Sequence, residues 1–293
     1  MALTPVPNTT TFTFQDVSSA VYGDTVSGRN LSSAFTDSLY IGSMPNATNS
    51  YGTRNNQLNF QNYTPIATLT TNLVALYNFE NTSNTSVGSA NGTDTNVTYS
   101  TSVVKLGTYA ASYNGTNAYT QMAWSISAFP FSFGFWVYIP TITGTFSLGD
   151  GLNATTVYRG VSITILQTGV VALSYCSAAS AGSTGRYTWQ TAASTFTTFG
   201  AWTYINITCA TGITTAPILT INNVAATMSY SSGSASSLVF TSSNMYIDIT
   251  SKSGTSVYYQ SYVDQLAVWS KILTTTEKTA LYNGGNGFNS TFW

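Results

Sequence analysis

An all-β domain, a sandwich or barrel, is the fold class this sequence predicts. Three observations point to it. Roughly ten short runs of alternating or doubly apolar residues recur at regular spacing between Gly, Ser and Asn clusters. Aromatic residues make up 14% of the 293 residues, charged ones only 6%, and Ser plus Thr number 88, a composition of β-rich material with a hydroxyl-covered surface. Only one good helical signal stands against them, close to the carboxyl end.

In chain order, residues 1–63 are polar, with strand-like phrases ("TFTFQDV", "QLNFQNY") and one helix-like phrase ("RNLSSAFTDSL"). Such a segment hides too little apolar surface to fold alone and must dock on something. "TPIATLTTN", residues 64–72, reads as a linker punctuated by Pro65. From Leu73 to the end, residues 73–293, come the runs "LVALYNFE", "AASYNG", "AYTQMAW", "FSFGFWVYI", "GVSITILQ", "VVALSYC", "AWTYINITC", "PILTINN", "MYIDIT" and "VDQLAVW". In "FSFGFWVYI" one parity carries Phe131, Phe133, Phe135, Val137 and Ile139, and the other carries Trp136 and Tyr138. A strand apolar on one face and aromatic on the other belongs in the middle of a sheet covered on both sides, or lines a groove. "TTTEKTALYNGG" reads as a helix: Thr274 to Thr276 offer caps, Glu277 sits in the first turn, and Gly284 with Gly285 stop it. In "YVDQLAVW", counting by two puts Asp264 on one face with Leu266 and Val268. A carboxylate there needs a partner.

Charge and motif content narrow the function. Eight basic against nine acidic residues give a formal charge of −1, with no basic cluster for a phosphate backbone or an anionic bilayer. Nucleic acid and membrane insertion are therefore not expected. No apolar run reaches membrane-spanning length, and "MALTPVPNTTTF" lacks the basic start and apolar middle of a secretory signal. A surface so poor in charge offers little resistance to self-association, which predicts a homo-oligomer and, by analogy with fibre proteins, a trimer. Cys176 and Cys209 end two strand-like runs and are either a bridge or two buried thiols. The absence of histidine removes the commonest general base, Ser/Cys-His pairs and His metal sites. No two acids stand at i, i+2; Asp248 and Asp264 are each alone on their strands, so the paired carboxylates of a glycan-cleaving groove are not met locally. "GDG", residues 149–151, and "NGGNG" read as turns.

"YVDQLAVWSKILTTTEKTALYNGGNG" resembles the closing signature of the laminin-G-like, concanavalin A-type jelly rolls: an apolar-Asp-x-apolar strand, a Leu and Ser/Thr step, a short Glu-containing helix and a Gly-rich stop. "LVALYNFENTSNTSVGSANGT", "AASYNGTNAYTQM", "FSFGFWVYIP" and "AWTYINITCATGITTAPILTINNVAAT" resemble the family's earlier strands in the required order, with Asn222-Asn223 where Asn-Gly is common. The resemblance spans Leu73 to Phe288 and implies a two-sheet antiparallel jelly-roll sandwich. Residues 1–63 resemble the amino-terminal segment of phage virion-associated proteins, with Gln61 where that pattern favours Arg.

The resemblance brings the first and last strands of the domain together, so Glu80 and Asp264 are expected to face a common point. They would either hold a structural Ca²⁺ with backbone and Asn oxygens, as family members often do, or Asp264 would accept backbone N–H bonds that lock the chain ends. Trp124, Tyr158, Tyr175, Tyr187, Trp189, Tyr258 and Tyr259, near strand ends or loops, are candidates for glycan stacking or for packing and interface. The expected function is a non-enzymatic virion structural protein, a capsid decoration or fibre module at the virion surface. Residues 1–63 would bind other virion proteins, and the jelly roll would contact a host-surface glycan. The alternatives are a carbohydrate-binding cell-surface adhesin and, third, a glycan-cleaving enzyme.

Overall fold

The computed structural model describes residues 42–43, 64–65, 69–122, 128–141, 144–150, 160–176, 186–234, 245–247 and 260–288. The chain divides into two compact units, Asn72–Thr274 and a second made of Met1–Thr71 with Thr275–Trp293. Within the second, β1 (Gly42–Ser43) pairs antiparallel with β2 (Thr64–Pro65), so the start of the expected linker is part of a ladder. Helix α1 (Thr275–Tyr282) has Glu277 in its first turn, as expected, and passes into a 3-10 turn at Asn283–Gly285. Gly284 and Gly285 there have φ of 60° and 89°, which L residues with a Cβ rarely adopt. The docking role expected of residues 1–63 falls almost wholly outside the described residues.

Unit Asn72–Thr274 is an antiparallel two-sheet sandwich, as the sequence predicts. One sheet has eight strands in the order β17 (Ser229–Gly233), β13 (Arg186–Gln190), β12 (Val171–Cys176), β11 (Gly160–Leu166), β10 (Thr145–Asp150), β18 (Met245–Ile247), β8 (Tyr119–Met122) and β5 (Gly92–Thr95). The other runs β16 (Val224–Ala226), β15 (Ile218–Ile221), β14 (Trp202–Cys209), β9 (Phe131–Tyr138), β19 (Gln260–Trp269), β3 (Leu73–Tyr77) and β4 (Thr85–Val87). β7 (Ala110–Asn114) joins this second sheet on β19, with β6 (Thr98–Ser100) outside it.

Alternation explains the core. Phe131, Phe133, Phe135 and Val137 point inward from β9 and meet Ile205, Ile207, Val263, Leu266 and Val268 of the same sheet and Phe146, Leu148, Ile163, Ile165, Leu173 and Ile247 of the other. Each such side chain, fully buried, contributes roughly 1.5–3 kcal/mol. Cys209 lies in this core as a free thiol. Every one of the ten apolar phrases contains a strand. The β15–β16 connection is a two-residue hairpin at Asn222-Asn223 with φ of 50° and 64°. Positive φ at both positions is the turn whose twist suits a hairpin, and Asn tolerates it.

Two expectations are corrected here. "GDG" is not a turn throughout: Gly149 and Asp150 end β10, and Gly149 pairs with Ser162 and Tyr246. A Cβ on Gly149 would lie 2.7 Å from the Ser162 Cα, so glycine marks a close strand approach. Asp264 does not share a face with Leu266 and Val268. Between Asp264↔Trp136 and Ala267↔Gly134 the register with β9 shifts by one residue, and Gln265 has φ of 45°. That bulge inserts an extra residue and reverses the parity. Val263, Leu266 and Val268 therefore all face the core, while Asp264, like its partner Trp136, lies on the opposite, outer face.

Deleting Gln265 removes the extra residue and leaves regular alternation from Val263 to Trp269, with Leu266 opposite Phe135, so Leu266 and Val268 would keep facing the core. A cooperative urea transition is therefore expected to survive the deletion; its loss would show that Gln265 is not the extra residue.

Candidate functional site

The outer face of the nine-stranded sheet is built around a seam. β7 and β3 lie end to end along one edge of β19, β7 pairing with Gln260–Val263 and β3 with Leu266–Trp269. Asp264 and Gln265 fall in the gap, where no described strand supplies ladder partners on that edge. The loop of residues 101–109, between β6 and β7, fills it. Its Lys105 and Leu106 N–H groups donate to Asp264 Oδ2 at 3.1 and 2.9 Å. Three residues after β3 ends, Glu80 accepts the Thr108 N–H on Oε1 and Oε2 at 3.1 and 3.0 Å. The two acids expected to face a common point thus grip one loop. Gly107, φ 66°, lies against Glu80 so closely that a Cβ would sit 1.7 Å from Oε1.

Asp264 is fully buried, and among the described residues its Oδ1 has no hydrogen-bond partner. Burial pushes its carboxyl from the ordinary 3.8 up to about 7, further raised by the Glu80 charge and opposed by N–H groups of Leu106, Lys105 and Gln265. The orphaned Oδ1 is one oxygen a cation could use. However, Oδ2 and both Glu80 oxygens face N–H donors, whose positive ends repel a cation. Among the described residues no three Asp, Glu, His or Cys side chains converge on a point. Among the described residues no third carboxylate joins Asp264 and Glu80 toward the 6 to 8 oxygens of a Ca²⁺ shell. The residues present fit a hydrogen-bonded pin rather than a Ca²⁺ cage.

From the pin the outer face divides into rows across the strands. Next to Asp264 stand Trp136 and Tyr204, with ring centroids 5.0 Å apart, both buried. The Lys105 ammonium covers Trp136 at 4.3 Å from the ring centroid, a cation–π contact favoured where water is displaced. Burial lowers the Lys105 pKa and the Asp264 charge opposes the shift. Farther along, Ser132 accepts the Leu273 N–H and donates to the Lys271 carbonyl at 2.7 Å, so the chain leaving β19 closes over that end. In the other direction the face opens. Trp202, Tyr138 and Tyr262 stand side by side on β14, β9 and β19, in register and each half-buried. Tyr138 meets Trp202 at 5.8 Å and 62°, and Tyr262 at 5.7 Å and 82°. Ser112 on β7 and Thr98 on β6 continue the row. Gln260, two residues before Tyr262, is exposed on the same face.

Of the seven aromatic candidates read from sequence, Trp124, Tyr158, Tyr258 and Tyr259 lie outside the described residues. Tyr175 is a buried core residue and not a surface group, because its parity on β12 turns it inward. Tyr187 and Trp189 are half-buried neighbours on β13. The sequence alone does not single out the row Trp202–Tyr138–Tyr262. Its signal in the sequence was the second parity of "FSFGFWVYI", and only register brings the three together.

Two outcomes follow. Gly107→Ala should cost about 2–4 kcal/mol in urea unfolding, combining a left-handed φ with overpacking, and less in a Glu80→Ala background, where only the φ cost of about 1–2 kcal/mol remains; equal losses in both backgrounds would contradict the grip. For Asp264 the folded carboxyl binds its proton more tightly than the unfolded one. Its contribution is complete below about pH 4 and is lost as pH rises through about 7. Between those values wild-type stability should fall relative to Asp264→Asn, by at most about 1.4 kcal/mol per pH unit; parallel profiles would contradict a buried, protonatable acid.

No protein-family model and no curated protein sequence matches the chain. Solved structures do. Domain 4 of an extracellular arabinanase from Geobacillus stearothermophilus, solved with arabinotriose, is 18% identical over 73% of this chain and 98% of that domain, with a TM-score of 0.53. Trypanosoma rangeli sialidase is similar at 12% identity over 75% of this chain and 34% of its own, TM-score 0.54. The binding domain of botulinum neurotoxin DC, in complex with SialylT, matches at 12% over 73% of this chain and 51% of that one, TM-score 0.52. This chain thus spans about half or less of the sialidase and toxin chains. These likenesses show the fold: a jelly-roll sandwich.

Proposed function

We propose that the sandwich is a non-enzymatic module that contacts glycans through the row Trp202, Tyr138 and Tyr262. The carrying observation is that row: three aromatic rings in register, half-exposed beside Ser112, Thr98 and Gln260, on a face otherwise closed by the pinned loop. Sugar rings stack their C–H faces on such side chains while hydroxyls and amides take up their rim. The arabinanase domain and the toxin binding domain, both solved with sugars, support glycan contact as a use of this fold. Around this module the chain reads as a virion surface protein, with residues 1–63 as its attachment to other virion proteins and self-association through its charge-poor surface. That wider reading rests on the sequence phrases of residues 1–63 alone.

Full-length protein passed over an array of neutral and sialylated oligosaccharides should be retained on a subset of them. Trp202→Ala, Tyr138→Ala and Tyr262→Ala should each weaken that retention, by about 1 kcal/mol or roughly fivefold in Kd. Unchanged binding by all three variants would overturn the site. New reducing ends accumulating during the same incubation would overturn the non-enzymatic reading.

A further inference from the structure

On the other sheet, β13 and β17 carry a second aromatic group that the outer-face row does not use. Trp189 pairs with Tyr230 across the ladder, and Tyr187 pairs with Gly233. A bulge between Thr188 and Trp189 admits one extra residue on β17, which brings Tyr230 over both neighbours. The Tyr187 and Tyr230 centroids are 4.9 Å apart at 48°, and those of Trp189 and Tyr230 are 6.4 Å apart at 79°. Gly233 has φ of 104°, and a Cβ there would lie 1.9 Å from the Arg186 carbonyl oxygen. Only glycine fits, and opposite Tyr187 the edge strand therefore has no side chain.

The polar ends of two of these rings are already satisfied. The Trp189 Nε1–H donates to the Ile213 carbonyl at 2.8 Å, and the Tyr230 hydroxyl donates to the Gly233 carbonyl. Both rings are thereby held still, with little rotamer entropy left to lose on contact. Tyr187 and Trp189 rest against the core, whereas Tyr230 is 50% exposed and flanked by exposed Ser229, Ser231 and Ser232. A protein partner would use several large side chains clustered at the centre of an interface. Here one accessible ring stands among small hydroxyls, and Arg186 is the one charged residue on the two strands. That combination matches a sugar: a C–H face for the ring and a hydroxyl rim for the serines.

We propose that Tyr187, Trp189 and Tyr230 form a second sugar-contact site, on the edge of the sheet opposite the one carrying Trp202, Tyr138 and Tyr262. It shares with the first site only the class of ligand. Two sites on one module multiply retention on a glycan-dense surface by making the second contact intramolecular.

The test compares full-length wild type, Trp202→Ala, Tyr230→Ala and the double variant on the same oligosaccharide array, with Tyr230→Phe as a control that keeps the ring. Trp202→Ala should retain binding to part of the array, and adding Tyr230→Ala should reduce that remainder by roughly fivefold or more. Tyr230→Phe, which keeps the ring and loses only the hydroxyl bond to Gly233, should bind better than Tyr230→Ala. Loss of all binding on Trp202→Ala alone would remove the second site and leave the first standing. Binding lost only with Tyr230→Ala would do the reverse. An array on which no variant differs from wild type, or on which nothing binds, would overturn the second site, and so would a remainder untouched by Tyr230→Ala.

Discussion

A buried carboxylate at a gap in a strand edge organises this sandwich. β19 runs through the nine-stranded sheet with β9 on one side and two shorter strands, β7 and β3, sharing the other. Where one partner stops and the next begins, backbone groups would stand unpaired in a dry place, at a cost of about 1–3 kcal/mol each. The Gln265 bulge turns Asp264 out of the core at that point, and Asp264 takes the N–H groups that the 101–109 loop brings. Ionising the acid there is unfavourable because Oδ1 is dry, which is why its carboxyl keeps a proton up to about pH 7.

The pin decides how much of the outer face water reaches. By holding Lys105 over Trp136 it closes the middle of the face, and the segment after β19 closes the far end through Ser132. What stays half-open is the row of Trp202, Tyr138 and Tyr262. One residue class thus sits in three settings in one chain: Phe131, Phe133 and Phe135 fill the core, Trp136 and Tyr204 are buried on the outer face, and Trp202, Tyr138 and Tyr262 stay half-buried. Hydroxyl-rich, charge-poor surroundings favour partners that hydrogen-bond without charge, and sugars are such partners.

Much of the fold was legible in the sequence because period-two alternation reports directly on which residues a sheet buries. All ten apolar phrases contain strands, and the inward parity of "FSFGFWVYI" is the one observed. β13 does alternate, with Tyr187 and Trp189 between Arg186, Thr188 and Gln190, but five residues with two aromatics and no aliphatic side chain read as surface aromatics rather than as a strand. β10 was masked by a Gly-Asp-Gly phrase that reads as a turn. The acid in "YVDQL" was visible as an anomaly, and Glu80 as its neighbour, but counting by two cannot see an inserted residue, so Asp264 was assigned to the wrong face. The aromatic row was not legible: Tyr138, Trp202 and Tyr262 are far apart in the chain, and only strand order and register make them adjacent.

Amide hydrogen exchange at Lys105 and Leu106 probes the pin most directly, because these loop N–H groups have a side-chain carboxylate as acceptor in place of a strand. Protection of the same order as the ladder amides of β9, lost in Asp264→Ala while β9 stays protected, is the expected result. Exchange at the unprotected rate of an exposed loop in the wild-type protein would contradict it.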